Sequence, residues 1–285
     1  MITAIEGIRV GHWTDRAART GCTAVLLPEA AVVSGEIRGG APGTREWALL
    51  DPARRVEHVD VVMLTGGSAF GLAACDGAMR WCAAKGLGVP TSAGAVPIVV
   101  GLVIFDLAVG SSTVRPGPDE GYAACESATT DPIPSGPVGA GAGATVAKVR
   151  GEDGARPGGL GSAMTRDGSL EVAALVVANA YGDIRPGTGF GPEGTPRPGP
   201  VAPPLGATTV GMIVTNARLT KLECHLAAQS GHDGLARAVQ PAHTGYDGDG
   251  LVAAATGAVD ADIELVRAMA AEAVELALRD AAEPQ

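Results

Sequence analysis

Apolar and polar positions divide the chain first into short strands and then into strands that alternate with helices. The opening part reads as strands over residues 4–10, 23–27 and 31–37, the last running into Gly39-Gly40. Pro42-Gly43-Thr44-Arg45-Glu46 predicts a short helix ending near Asp51. Residues 59–65 read as a buried strand that passes through Gly66-Gly67-Ser68 into a helix over 69–84. A second helix is expected near 120–127, with buried strands over 98–105 and 171–180. Residues 208–215, rich in Thr, Val and Ile, predict a central strand. A helix over 219–239 follows, with Leu219, Leu222 and Leu226 on one face. A turn-rich stretch, 241–250, leads to a strand over 251–256. The last helix, 261–279, carries Ile263, Val266, Ala270, Val274 and Ala277 at helical spacing, with Asp260 as its N-cap. No repeat is present. The pattern predicts a single domain over 1–285 of the α/β or α+β class, with helices covering a substantial mixed sheet.

Residues 184–206 interrupt this pattern. Seven of these 23 residues are Pro and six are Gly, a density no helix or central strand tolerates. An exposed linker or ordered loop is expected, and a loop of that length usually serves a purpose.

Composition narrows the choice of function. Aromatics make up 3% of the chain, so Ala, Val and Leu must fill the core and elements must approach closely. A net charge of −10 leaves no basic face to displace phosphate counterions, which excludes nucleic acid as a partner. The uncharged stretch 86–105 contains Pro90 and Pro97 and is too broken to span a bilayer, so no membrane association is expected. The N-terminal sequence lacks the basic start and long apolar stretch of a signal peptide. Cys22, Cys75, Cys82, Cys125 and Cys224 are scattered and form no C-x-x-C pair, which reads as buried free thiols in a reducing cytoplasm.

Several segments could carry chemistry. Gly66-Gly67-Ser68-Ala69-Phe70-Gly71 has the strand-turn-helix setting of a nucleophile elbow, but Phe70 replaces its second glycine. A tight turn capped by Ser68 is the better reading. Gly139-Ala140-Gly141-Ala142-Gly143 is neither a dinucleotide fingerprint nor a P-loop, and reads as a site of close backbone approach. Among His12, His58, His225, His232 and His243, the 225/232 pair can share a helix face, but no H-E-x-x-H is present. Surface or capping roles are expected for these histidines, and no metal site. Thr208 stands apart because the Pro/Gly loop ends there and a buried strand begins. Were the bond before it broken, its new α-amine, with a pKa near ~8, could deprotonate its own hydroxyl without a histidine.

Gly7-Ile8-Arg9-Val10-Gly11-His12, residues 38–46, residues 64–72 and Pro97-Ile98-Val99 form one set of motifs, continued by the 139–146 glycine run. Ala178-Asn179-Ala180-Tyr181-Gly182, Thr208-Thr209-Val210-Gly211, Leu219-Thr220-Lys221 and Asp247-Gly248-Asp249 complete it. In this order the chain resembles the L-aminopeptidase/D-esterase family, with its β-peptidyl aminopeptidases and nylon-oligomer endo-hydrolases. The resemblance implies a four-layer αββα sandwich, a type shared with ornithine acyltransferases. It also implies autoproteolysis into residues 1–207 and 208–285, and a homo-oligomer, often a tetramer of cleaved pairs. Thr208 would be the N-terminal nucleophile, Asn179 an oxyanion donor, and Asp247 and Asp249 would position or tune the nucleophile. Lys148 matches a lysine of the nylon-hydrolase branch. No metal or organic cofactor is implied, and the substrate would be a small peptide or peptide-like amide.

Two positions depart from the pattern: Ala207 stands where relatives carry Asn or Gly before the nucleophile, and Phe105 where some carry a tyrosine. The alternatives are an acyltransferase, in which an amine replaces water, and a non-catalytic small-molecule binder of the same fold.

Overall fold

A computed structural model describes residues 1–184 and 206–282. Ten strands build its two main sheets. They are β1 (Arg9–Asp15), β2 (Thr20–Leu26), β3 (Val32–Ile37), β4 (Thr44–Arg45) and β5 (Val61–Thr65). The others are β6 (Val99–Val103), β7 (Gly159–Asp167), β8 (Leu170–Asn179), β9 (Thr208–Ala217) and β10 (Gly250–Val259). The four α-helices are α1 (Ala74–Ala84), α2 (Pro118–Glu126), α3 (Lys221–Ala238) and α4 (Ile263–Ala282).

The first sheet runs β1-β2-β5-β6-β4 and the second β7-β8-β9-β10-β3. Pairing is parallel only for β5–β6 and β9–β10 within these two sheets.

Side-chain alternation along the central strands separates three apolar layers. Ala173, Leu175 and Val177 of β8 and Val210, Met212 and Val214 of β9 meet Val62, Leu64, Val100 and Leu102 of the first sheet. The intervening residues Val172, Ala174, Val176 and Ile213 face α3 and α4. On the far side, Ala24, Val61, Met63 and Val99 pack beneath α1 and α2. Helix, sheet, sheet and helix therefore stack as the expected αββα sandwich. Among the described residues, no helix is long and apolar enough to cross a membrane.

Several local expectations change. The first strand begins at Arg9, because Gly7 turns the chain at a φ of 85°. Ile2, Ile5 and Ile8 instead plug the core between the sheets. The helix expected after Pro42 is replaced by β4 and a 3-10 turn over Trp47–Leu50. Strand β7 is unforeseen because its glycines mask alternation, although Asp167-Gly168 marks the hairpin to β8.

On α3, Leu222 is exposed, and the buried face is formed by Lys221, Cys224, Ala227, Ala228 and Gly231. A capping box between Thr220 and Glu223 sets this phase. Lys221 turns inward and donates to the carbonyls of Leu49, Arg54 and Val56 at 2.6–3.0 Å. Helix α4 is capped by Asp262, which accepts from Glu264 N, while Asp260 pairs with Arg218.

All five cysteines are buried and free. The loop expected over 184–206 lies outside the described residues except at its two ends.

Candidate functional site

The site gathers where β8 ends and β9 begins. Their antiparallel register sets Asn179 directly opposite Thr208. The two-residue period directs both toward the space between the sheets, with Val177 and Val210. Thr208 is 6% exposed, and its Oγ1 donates to Ala207 O, the carbonyl of its own preceding peptide bond. That carbonyl also accepts from Gly248 N at 3.2 Å. Ala207 packs against Val149, Tyr181 and Tyr246, whose two rings lie 5.1 Å apart.

Hydrogen bonds fix how Asn179 is turned. Its Oδ1 accepts from Thr145 N and from Lys148 Nζ, both at 3.0 Å, so its Nδ2 must point the other way. Nδ2 donates to Phe105 O at 3.2 Å. At position 105, then, it is the backbone rather than the ring that reaches Asn179. Lys148 Nζ also donates to Thr145 O and Asn179 O, at 2.7 and 2.8 Å. Burial lowers the Lys148 pKa to about 7, against a smaller upward pull from Asp247. Lys148 therefore changes charge near neutrality.

The two aspartates are each 1% exposed and hold backbone rather than the Thr208 hydroxyl. Asp247 accepts from Tyr181 N at 3.0 Å and from Thr244 N and Oγ1 at 3.0 and 2.5 Å. Asp249 Oδ1 accepts from Thr209 N at 2.7 Å, and Oδ2 from His243 Nδ1 at 2.8 Å. Burial raises the Asp249 carboxyl above the usual range, while the His243 bond opposes that rise. Gly39, at φ 105°, lets the chain after β3 pass against Asp247, where a Cβ would lie 2.5 Å from the carbonyl oxygen. At Gly40 a Cβ would lie 2.7 Å from Gly245 O, so both glycines of the 38–46 motif serve close approach of this loop.

All six sequence-derived positions, Lys148, Asn179, Ala207, Thr208, Asp247 and Asp249, are thus joined by this network. Sequence reasoning gave His243 only a surface or capping role and Gly248 only a place in a motif, and it missed Thr244, since the turn-rich 241–250 stretch has no period to read.

The remaining candidates lie elsewhere. Ser68 caps nothing and sits at φ 54°, and the turn is held by Asp106, which accepts from Gly67 N and Thr20 Oγ1 at 2.7 Å each. The 139–143 glycines do bring backbone close to Thr23, Leu160 and Arg19. His225 and His232 are not surface groups: both reach β3 carbonyls, Gly35 O at 2.9 Å and Glu36 O at 3.0 Å. Among the described residues, no group of three His, Cys, Asp or Glu side chains could hold a metal ion.

Comparison with known proteins agrees with this architecture. A "Burkholderia sp. beta-aminopeptidase" superposes with a TM-score of 0.75 at 22% identity, covering 98% of this chain and 85% of that one. The L-aminopeptidase D-Ala-esterase/amidase of Ochrobactrum anthropi, described as a variant of the Ntn hydrolase fold, gives 0.74 at 17% identity over the same shares. In sequence, an uncharacterized aminopeptidase of Mycobacterium tuberculosis is 43% identical over 289 residues, covering 90% of this chain and 82% of that protein. A 6-aminohexanoate-oligomer endohydrolase of Agromyces sp. is 32% identical over 273 residues, covering 89% and 74%. The sequence model of Peptidase family S58 matches residues 1–284. With that match over nearly its whole length, the chain belongs to Peptidase family S58 and is an enzyme of the peptidase/amidase class.

Proposed function

We propose that the chain cuts itself between Ala207 and Thr208, and that the freed Thr208 hydrolyses small peptides or peptide-like amides through an acyl-enzyme. The observation that carries this reading is the contact of Thr208 Oγ1 with the Ala207 carbonyl, which Gly248 N also engages. Attack of Oγ1 on the Ala207 carbonyl carbon gives a tetrahedral oxyanion, with the Gly248 N–H as its donor. Collapse breaks the C–N bond as the hydroxyl proton passes to the departing nitrogen, which leaves an ester between Ala207 and the Thr208 oxygen and a free amine on Thr208. Water cleaves that ester into the carboxylate of residues 1–207 and the mature chain 208–285. In the mature enzyme the amine, with a pKa near ~8, takes the hydroxyl proton as Oγ1 attacks a substrate amide. The leaving amine departs protonated, and water then releases the acyl group.

Lys148 and Thr145 keep the Asn179 amide turned with its Nδ2 toward the Phe105 side, where it is available to a substrate oxyanion. The aminopeptidases and 6-aminohexanoate-oligomer hydrolases among the relatives support a small amide substrate with water as acceptor. Intact mass with N-terminal sequencing tests this. Two fragments are expected, the smaller beginning at Thr208, and one chain only from Thr208→Ala. A wild-type chain that stays at 28.3 kDa on long incubation removes the free-amine mechanism.

A further inference from the structure

Thr208 lies on one face of β9, and the next residue begins a second polar cluster on the other. Alternation sends Thr209 and Asp249 toward the helical layer, on the side where Ile213 and Leu251 pack against α3 and α4. There Asp249 Oδ1 accepts from Thr209 N at 2.7 Å, one peptide unit beyond the bond that joins Ala207 to Thr208. Among the described residues, Oδ2 is held by His243, through Nδ1 at 2.8 Å and the backbone N at 3.2 Å. His243 stands at φ 54°, a left-handed conformation that a non-glycine residue keeps only where its surroundings hold it. Its ring meets that of His232 edge-on, with centroids 4.9 Å apart.

We infer that His243 is a positioning residue for self-cleavage: it holds Asp249 as a carboxylate, so that Asp249 grips Thr209 N and sets Thr208 against the Ala207 carbonyl. This rests on the reading of Thr208 as nucleophile. A carboxyl so deeply buried tends to keep its proton, and a protonated Asp249 grips an amide less well. The N–H of His243 opposes that tendency, and the bond is charge-assisted only while Asp249 is ionised.

The neighbouring groups leave that assignment to His243. Asp247, in the same turn, raises the Asp249 pKa further. His232, from α3, is pushed down to about 3 by burial and stays neutral. Arg38, after β3, gives Asp249 O only a backbone bond, at 2.8 Å, while its guanidinium lies 3.7 Å from Glu36 and 3.6 Å from Asp233. Glu36 itself faces His225 at 3.5 Å.

The test follows self-cleavage of freshly made chains by intact mass between pH 5 and 9. In the uncut chain Thr208 has no amine to titrate, so that source of pH dependence is absent. His243→Gly removes the ring donor, keeps the backbone N–H and suits the left-handed backbone, whereas His243→Asn keeps both a side-chain donor and tolerance of that conformation. His243→Ala is a second deletion, should glycine loosen the turn.

Asp249 must be ionised, so the rate falls as pH drops through its folded pKa. The Gly and Ala variants should move this acid limb up by about one unit, slowing cleavage about fivefold at the wild-type midpoint. The Asn variant should restore the wild-type limb. Equal slowing at every pH in the deletions, an unchanged limb, or an Asn variant that behaves like Gly overturns the inference and leaves Thr208 as nucleophile. A wild-type chain that never splits before Thr208 overturns both.

Discussion

Two turns of this molecule each bring a hydroxyl residue to the end of a central strand beside a buried aspartate. At the end of β5, Asp106 binds Gly67 N and Thr20 Oγ1, and Ser68 makes no capping bond. At the start of β9, Asp249 and Asp247 bind Thr209 N and Tyr181 N, and the Thr208 hydroxyl is turned onto a peptide carbonyl. Burial raises the carboxyl pKa of both Asp106 and Asp249. Among the described residues, however, Asp249 has an ionisable donor, His243, and Asp106 has none. A strand-turn hydroxyl thus says little about chemistry by itself. What separates the two turns is whether the hydroxyl has an electrophile in reach and whether titratable groups surround it.

The comparison breaks first at the hydroxyls. Thr208→Ala should abolish self-cleavage and lower amide turnover by at least about 10³-fold, as for loss of a nucleophile that acts as part of a unit. Ser68→Ala should leave both unchanged. Intact mass and a chromogenic amide assay read the pair, and a cleaving, active Thr208→Ala would end the distinction.

The aspartates come next. Asp249→Asn should slow self-cleavage by an order of magnitude or more at neutral pH. Asp106→Asn should leave cleavage per folded molecule unchanged but cost about 1–3 kcal/mol, because an amide N–H would either oppose Gly67 N or take the place of the oxygen that accepts the Thr20 hydroxyl proton. Urea unfolding measures that cost. Processing lost to the same degree in both would make the two turns equivalent.

A third effect is confined to the β9 side. The folded pKa of Lys148, about 7, lies below its unfolded value of 10.5. Between those values the unfolded chain binds more protons, so this group makes stability rise with pH across the window, at up to ~1.4 kcal/mol per unit. Lys148→Met should remove that rise. The measure is the wild-type minus variant unfolding free energy at pH 7 and pH 9.5, which should become more positive as pH increases. An identical pH slope in both would show that Lys148 keeps its proton in the fold.

The smallest change concerns the β5 turn. Ser68→Gly relieves a φ of 54° but frees the unfolded backbone. It should alter stability by less than about 1 kcal/mol and leave cleavage untouched, as thermal unfolding and intact mass would report.

Much of the sandwich was legible along the chain. Residues 59–65, 171–180 and 208–215 are rich in Val, Leu and Ile and largely buried, and each holds most of a central strand. The α4 positions Val266, Ala270, Val274 and Ala277 face the core as their spacing required. Strand β7 escaped because glycines carry no hydropathy, and the α3 face shifted because the Thr220–Glu223 cap set the phase rather than the leucines.

The candidate site divides in the same way. The sequence by itself determined the alternation of strands and helices, the small-residue core and the acidic character of the chain. Its motifs, taken with their resemblance to a known family, also singled out Lys148, Asn179, Ala207, Thr208, Asp247 and Asp249 as positions to watch. Only the tertiary structure decided that Asp106 holds the turn at Ser68, that Lys148 and Thr145 orient the Asn179 amide, and that His243 and Gly248 reach Asp249 and the Ala207 carbonyl. The reason is physical. Periodicity reports which face of one element avoids water, a local property, whereas a hydrogen bond between a loop and a distant strand depends on register and on where several chain segments cross.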